Sequence, residues 1–192
     1  AELIDDGRDA DKLAFRRDAH EYRNLLMTEQ PNEDYAVTMG RQFFFDVYHY
    51  FTLKSLTESS DERIAGIAAK ALKEVTYHLR RSSEWVKRFG DGTEESHRRM
   101  QDAVDILWRF TGELITPDDT DRVMAEAGIG PDTDQLAKDW RGMVNEVLTQ
   151  ATLTPGAEDA WMYMGGKHGE HTEHLGFILA EMQFLQRAYP DA

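Results

Sequence analysis

Asp46 and His49 stand three residues apart inside a phenylalanine-rich run, and Glu74 and His78 stand four apart further along the chain. Residues three or four apart share one face of a helix, so each pair would present a carboxylate beside an imidazole. Di-iron helical bundles take ligands from such pairs, as Glu-x-x-His on two of their helices. A metal centre is therefore one reading of Asp46, His49, Glu74 and His78. The reading adopted here is that they are buried polar groups satisfying one another, or residues of a subunit interface. Asp is shorter than Glu, Tyr77 holds the place three residues after Glu74, and the pairs are too few for two irons. A buried Asp46 needs a partner, and His78, Lys70 or Lys73 is expected to supply the charge. A further polar group, Glu170-His171-Thr172-Glu173-His174, puts His171 and His174 on one helical face with Ile178, Met182 and Leu185. It lacks the His-Glu-x-x-His order of zinc hydrolases. Interface or turn chemistry is expected there, with metal ligation by Glu170, His171 and His174 as the alternative.

The elements that must position these residues are helices. Residues 11–29 carry Leu13, Phe15, Tyr22, Leu25 and Leu26 among charges and predict a helix broken near Asp18, interrupted at Pro31-Asn32. A second helix is predicted from Asp34 to Glu58, and a third from Asp61 to Phe89 with Ser60 as its N-cap and Gly90 and Gly92 as its stop. Thr93 caps a fourth, Glu94 to Ile115. Thr116-Pro117-Asp118-Asp119 opens a short helix ending at Gly128, and Asp132 or Thr133 opens another to Gln150. Residues 152–169 hold Pro155 and four glycines and predict an ordered loop before a last helix from Glu170 to Tyr189. No segment alternates apolar and polar residues as a half-buried strand would.

Two helices carry the most pattern. Phe43, Phe44, Phe45, Val47, Tyr48, Tyr50, Phe51 and Leu53 cover nearly every direction of the second, which predicts burial on most sides. Ile64, Ile67, Ala68, Ala71, Val75, Leu79, Val86 and Phe89 form one stripe on the third, and His78 falls within it. Long helices joined by short turns predict a bundle, and with no linker in sight residues 1–192 are read as a single domain.

Composition narrows the function. Hydrophobic residues make up 41% of the 192 and charged residues 30%, a globular balance. A net charge of −14 sets nucleic acid and anionic membrane aside as partners. The basic cluster of Arg80, Arg81, Lys87 and Arg88, continued by Arg98 and Arg99, is read as a solvated face, with contact to an acidic partner or a CoA phosphate as the alternative. The chain has no cysteine, so thiolate chemistry is excluded and a cytoplasmic location is expected. No apolar run reaches the roughly 20 residues of a membrane span, and residues 1–8 (AELIDDGR) are too polar for a signal peptide. Gly165-Gly166 and Gly90-Asp91-Gly92 lack the spacing of a phosphate loop, and no Gly-x-Ser-x-Gly elbow is present.

Several segments together, in order, resemble the PaaC family of ring 1,2-phenylacetyl-CoA epoxidase structural subunits. They are residues 22–26 (YRNLL) running on to 29–32 (EQPN), Arg41-Gln42-Phe43 with Asp46 to His49, residues 69–74 (AKALKE) with Tyr77 to Arg80, and Gly90-Asp91-Gly92-Thr93. Residues 107–111 (LWRFT) with Glu113-Leu114, Gly165-Gly166-Lys167, 171–176 (HTEHLG) and 179–187 (LAEMQFLQR) complete the set. The resemblance implies an all-α, ferritin-like helical bundle with additional C-terminal helices. It implies a non-catalytic scaffold subunit for aerobic phenylacetate catabolism, which keeps only a degenerate metal site, here Asp46, His49, Glu74 and His78. No cofactor is expected in this chain. Two irons would sit in a homologous catalytic subunit, fed from NADPH by a reductase holding FAD and an iron–sulfur cluster. The partners would be that subunit, further epoxidase subunits and the reductase, in a homo- or hetero-oligomer. Family members begin with about two more helices, so the chain is expected to be N-terminally incomplete relative to them. The alternatives are an independent ferritin-like metal enzyme and a helical acyl-CoA-binding protein.

Overall fold

Acidic and hydroxyl caps begin most of the longer helices. The computed structural model describes residues 6–189, so the first five residues of the polar opening segment lie outside the described residues. Asp34 accepts from Val37 N at the start of α2 (Tyr35–Leu56), and Asp61 accepts from Arg63 N and Ile64 N at the start of α3 (Glu62–Gly90). Thr93 and Ser96 form a capping box on α4 (Glu94–Trp108). Each cap satisfies backbone donors that the first turn cannot. α5 (Gly112–Ile115) and α6 (Asp119–Glu126) are short, and α7 (Thr133–Gln150) starts on Asp132. The described residues contain no strand, as the all-α expectation requires.

The chain divides into two units, residues 32–163 and residues 1–31 with 164–192. In the first, α2 packs along α3, α4 and α7. Phe43, Phe44 and Val47 of α2 are wholly buried, as are Val86, Leu107, Val144 and Leu148 from the three neighbours. Trp140 of α7 is buried and donates its indole N–H to the Phe44 carbonyl at 3.0 Å, fixing its depth against α2. Gly40 lets α4 approach, because a Cβ there would stand 2.9 Å from Met100 Cε and 3.1 Å from Leu107 Cδ1.

The second unit holds α1 (Ala10–Phe15), 3-10 turns at Ala19–Glu21, Leu26–Glu29 and Gly166–His168, then α8 (Glu173–Met182) and α9 (Phe184–Ala188). The buried Gln183 side chain ties it together. Its amide donates to Arg17 O at 2.8 Å and Tyr22 Oη at 2.9 Å, and its oxygen accepts from Arg187 Nε at 2.8 Å.

Four boundaries differ from the expectation. Residues 11–29 do not form a helix in two parts: after α1 the chain makes two 3-10 turns, separated by extended backbone at Tyr22 and Leu25. Asp61, not Ser60, caps α3, since Ser60 N donates to Gly128 O at 2.9 Å and its hydroxyl is turned to Ala127 O. The fourth helix stops at Trp108 because Tyr163 N donates to Arg109 O at 2.8 Å, taking the carbonyl that a further turn would use. The last helix begins at Glu173, which leaves Glu170 and His171 in the loop before it.

Candidate functional site

Asp46 projects from the middle of α2 at only 1% exposure. Gln42, one turn back on the same helix, donates to Oδ1 at 2.6 Å, and Ser82 Oγ from α3 donates to Oδ2 at 2.8 Å. Burial pushes the Asp46 carboxyl above the usual range, against the pull of the Ser82 and Gln42 hydrogen bonds and of the nearby His78 and His49. Beside it lies a cavity of about 150 Å³ lined by Met39, Gln42, Asp46, His78, Arg81 and Ser82. His49 is half-buried with its ring centroid 5.3 Å from that of Phe45. Burial holds the His49 imidazole below its ordinary value, while Asp46 works in the opposite direction.

Of the other pair, only His78 borders this cavity. Glu74 and His78 are on the exposed side of α3, with Nε2 of His78 3.8 Å from Oε1 of Glu74. The expectation that all four polar residues are buried is corrected here: Asp46 is buried, His49 is half-buried, and His78 lies outside the buried stripe of Ala68, Val75, Leu79 and Val86. Lys70 and Lys73 are exposed, so the partners in hydrogen bonds to Asp46 are neutral and not the cation expected. Phe45, Tyr48, Tyr50 and Phe51 are only partly buried, so α2 is covered on fewer sides than its composition predicts. A di-iron centre in such a bundle draws on carboxylates from four helices and histidines from two. Among the described residues no three His, Asp or Glu side chains gather around one point, and the one buried carboxylate of the set already accepts from Ser82 and Gln42. These residues do not fit two irons.

A second polar centre was not singled out from the sequence. Glu29, with its side chain 1% exposed, accepts four hydrogen bonds. Oε1 takes Asn24 Nδ2 at 2.8 Å and His171 Nδ1 at 2.7 Å, and Oε2 takes Thr172 N at 2.8 Å and Thr172 Oγ1 at 2.7 Å. His171 Nε2 lies 3.2 Å from Tyr22 O, so both ring nitrogens face acceptors. Thr172 is the N-cap of α8 and makes no side-chain cap bond of its own. Glu29 thus places a carboxylate at the start of that helix, where the dipole favours negative charge. His171 thus joins Glu29 to the Tyr22 carbonyl in the turn before α8. His171 does not share a helical face with Ile178, Met182 and Leu185, because it precedes α8, and those three apolar side chains are exposed. His174 is half-buried in the first turn of α8, and Glu170 is exposed with its N–H on Gly165 O at 3.0 Å. The available signal was a glutamate set close after the apolar run Leu25-Leu26-Met27.

The phenylacetic acid catabolic protein family matches residues 1–192. The chain belongs to that family. Members are ferritin-like helical proteins, in keeping with α2, α3, α4 and α7. The 1,2-phenylacetyl-CoA epoxidase component designated C, from Escherichia coli strain K12, is 47% identical over 190 residues, which cover 99% of this chain and 76% of the relative. That protein is, by its name, one subunit of several. No helix among the described residues is long and apolar enough to cross a membrane.

Proposed function

We propose that this chain is the structural subunit of a multicomponent di-iron monooxygenase that epoxidises the aromatic ring of phenylacetyl-CoA. The observation that carries the reading is 47% identity to one named epoxidase component across 99% of the chain. The donor geometry supports the non-catalytic part of it, because Asp46 is engaged by Ser82 and Gln42 while Glu74 faces solvent. In this reading the two irons belong to a homologous catalytic subunit, and a reductase with FAD and an iron–sulfur cluster delivers electrons from NADPH. The chain contributes surfaces and a rigid helical frame, and acts in the cytoplasm where CoA thioesters are made and used.

Reconstitution tests this directly. The catalytic subunit, this chain, the remaining subunits and the reductase are mixed with phenylacetyl-CoA and NADPH, and ring epoxide is measured with each component omitted in turn. Omission of this chain is expected to abolish product, with iron found on the catalytic subunit. Stoichiometric iron ligated by this chain, or full turnover without it, would overturn the reading.

A further inference from the structure

One face of α3 carries cations that no carboxylate among the described residues neutralises. Tyr77, Arg80, Arg81, Glu84, Trp85 and Arg88 recur every three or four residues and line a groove of about 370 Å³. Several arginines on other elements are paired with carboxylates: Arg98 with Glu95 and Asp102, Arg99 with Glu95, Arg122 with Asp119, Arg187 with Asp18. Among the described residues, Arg80, Arg81 and Arg88 have no carboxylate within 4.0 Å. Glu84 stands one turn from both Arg80 and Arg88 and bridges to neither. α3 as a whole holds seven basic and three acidic residues, on a chain whose net charge is −14. This local reversal of sign is the first observation.

The second is that the groove has a preformed aromatic wall. Trp85 is held edge-on to Tyr35 at 5.4 Å and packed on Phe89 at 5.3 Å, and the Arg88 guanidinium lies 5.5 Å above its ring. Tyr77, 59% exposed, stands at the other end. Tryptophan, tyrosine and arginine are the residues that concentrate binding energy at protein interfaces, and guanidinium groups take carboxylates in two-pronged geometry. From Tyr77 to Arg88 the ridge is about 16 Å long, roughly three helical turns.

We propose that this ridge of α3 is the docking surface for an acidic segment of the catalytic partner subunit, whose carboxylates supply the counter-charges for Arg80, Arg81 and Arg88 while Tyr77 and Trp85 anchor apolar groups. Glu84 in the middle of the ridge favours a protein with its own donor at that point over a bare chain of phosphates. The inference rests on the reading that the chain works inside a multisubunit complex.

The test is calorimetric titration of this chain with the catalytic subunit at low and high salt. The variant Arg80→Glu/Arg81→Glu/Arg88→Glu is compared with Arg98→Glu on α4. The triple variant is expected to bind at least about 100-fold more weakly at low salt, because like charges placed across an interface oppose docking strongly. Tyr77→Ser, at an exposed position, is expected to weaken binding about 10-fold with no change in helicity. Arg98→Glu should bind as the unmodified chain does. Affinity within about threefold for the triple variant, with the unmodified chain binding normally, would overturn the docking site and leave the proposed function standing. Failure of the unmodified chain to bind would overturn both. Arginine-dependent self-association, or arginine-dependent binding of free coenzyme A by the chain alone, would overturn the assignment of an acidic protein partner.

Discussion

Replacing Glu29 by alanine removes the acceptor of four hydrogen bonds from a side chain that is 1% exposed. The donors do not suffer equally. The Thr172 hydroxyl can rotate, and the Asn24 amide can turn, since its Oδ1 has no hydrogen-bond partner among the described residues. The Thr172 backbone N–H has no such freedom, because it is fixed by the start of α8, and the His171 ring is held in place by the contact of Nε2 with Tyr22 O, so its Nδ1 is left facing no partner. Leaving a buried donor unpaired costs about 1–3 kcal/mol, so Glu29→Ala is expected to destabilise residues 1–31 and 164–192 by roughly 3–5 kcal/mol. Glu29→Gln should be far milder. Its amide nitrogen can face His171 Nδ1 and a turned Asn24, while its oxygen keeps both Thr172 donors. Hydrogen exchange resolves the effect by segment: amides of α8 should lose protection in Glu29→Ala while those of α2 and α7 keep theirs. A loss below about 1 kcal/mol in α8, or equal losses for Ala and Gln, would refute the hydrogen-bond account.

The unit that holds α2 and α3 is open to similar tests. Asp46→Ala is expected to cost only about 1–2 kcal/mol, because Ser82 Oγ can turn wholly to Leu79 O, 3.2 Å away. Asp46→Asn should gain stability relative to the unmodified chain as pH rises. The Asp46 carboxyl is raised in the folded state, so its contribution is complete below the unfolded value near 3.8 and is lost as pH climbs through the folded one. Urea titrations from pH 4 to 7 check this, and a pH-independent difference would contradict it. Gly90→Ala should destabilise the chain by about 1–3 kcal/mol in the same assay, since its Cβ would stand 2.1 Å from the backbone oxygen of Ala151. A neutral Gly90→Ala would show that the end of α3 and Ala151 are not held as described.

The sequence was most legible where the cause is local. Asp34, Thr93 and Asp132 are caps because each accepts from a backbone N–H three residues later, and the starts of α2, α4 and α7 fall where they predict. Asp46 could be read as buried because Phe43, Phe44 and Val47 surround it on the helix. Its partner could not, since Ser82 is 36 positions away and unremarkable in type. The Glu29–His171 bond spans 142 positions, and the stop at Trp108 depends on Tyr163 arriving from a distant loop. Glu74 and His78 misled for a related reason: periodicity says which residues share a face and not which faces find a neighbour. The partly exposed Phe45, Tyr48 and Phe51 make the same point on α2.

The central question is whether the polar residues of α2 and α3 do chemistry. The direct measurement is epoxide formation by the reconstituted complex carrying Asp46→Asn or His49→Gln in this chain, divided by the amount of complex assembled. Turnover per assembled complex within about twofold of the unmodified value is predicted, because the proposed function puts the reaction in the catalytic subunit and Asp46 here is engaged by Gln42 and Ser82. Normal assembly with turnover abolished would contradict the structural role and place these residues in the reaction.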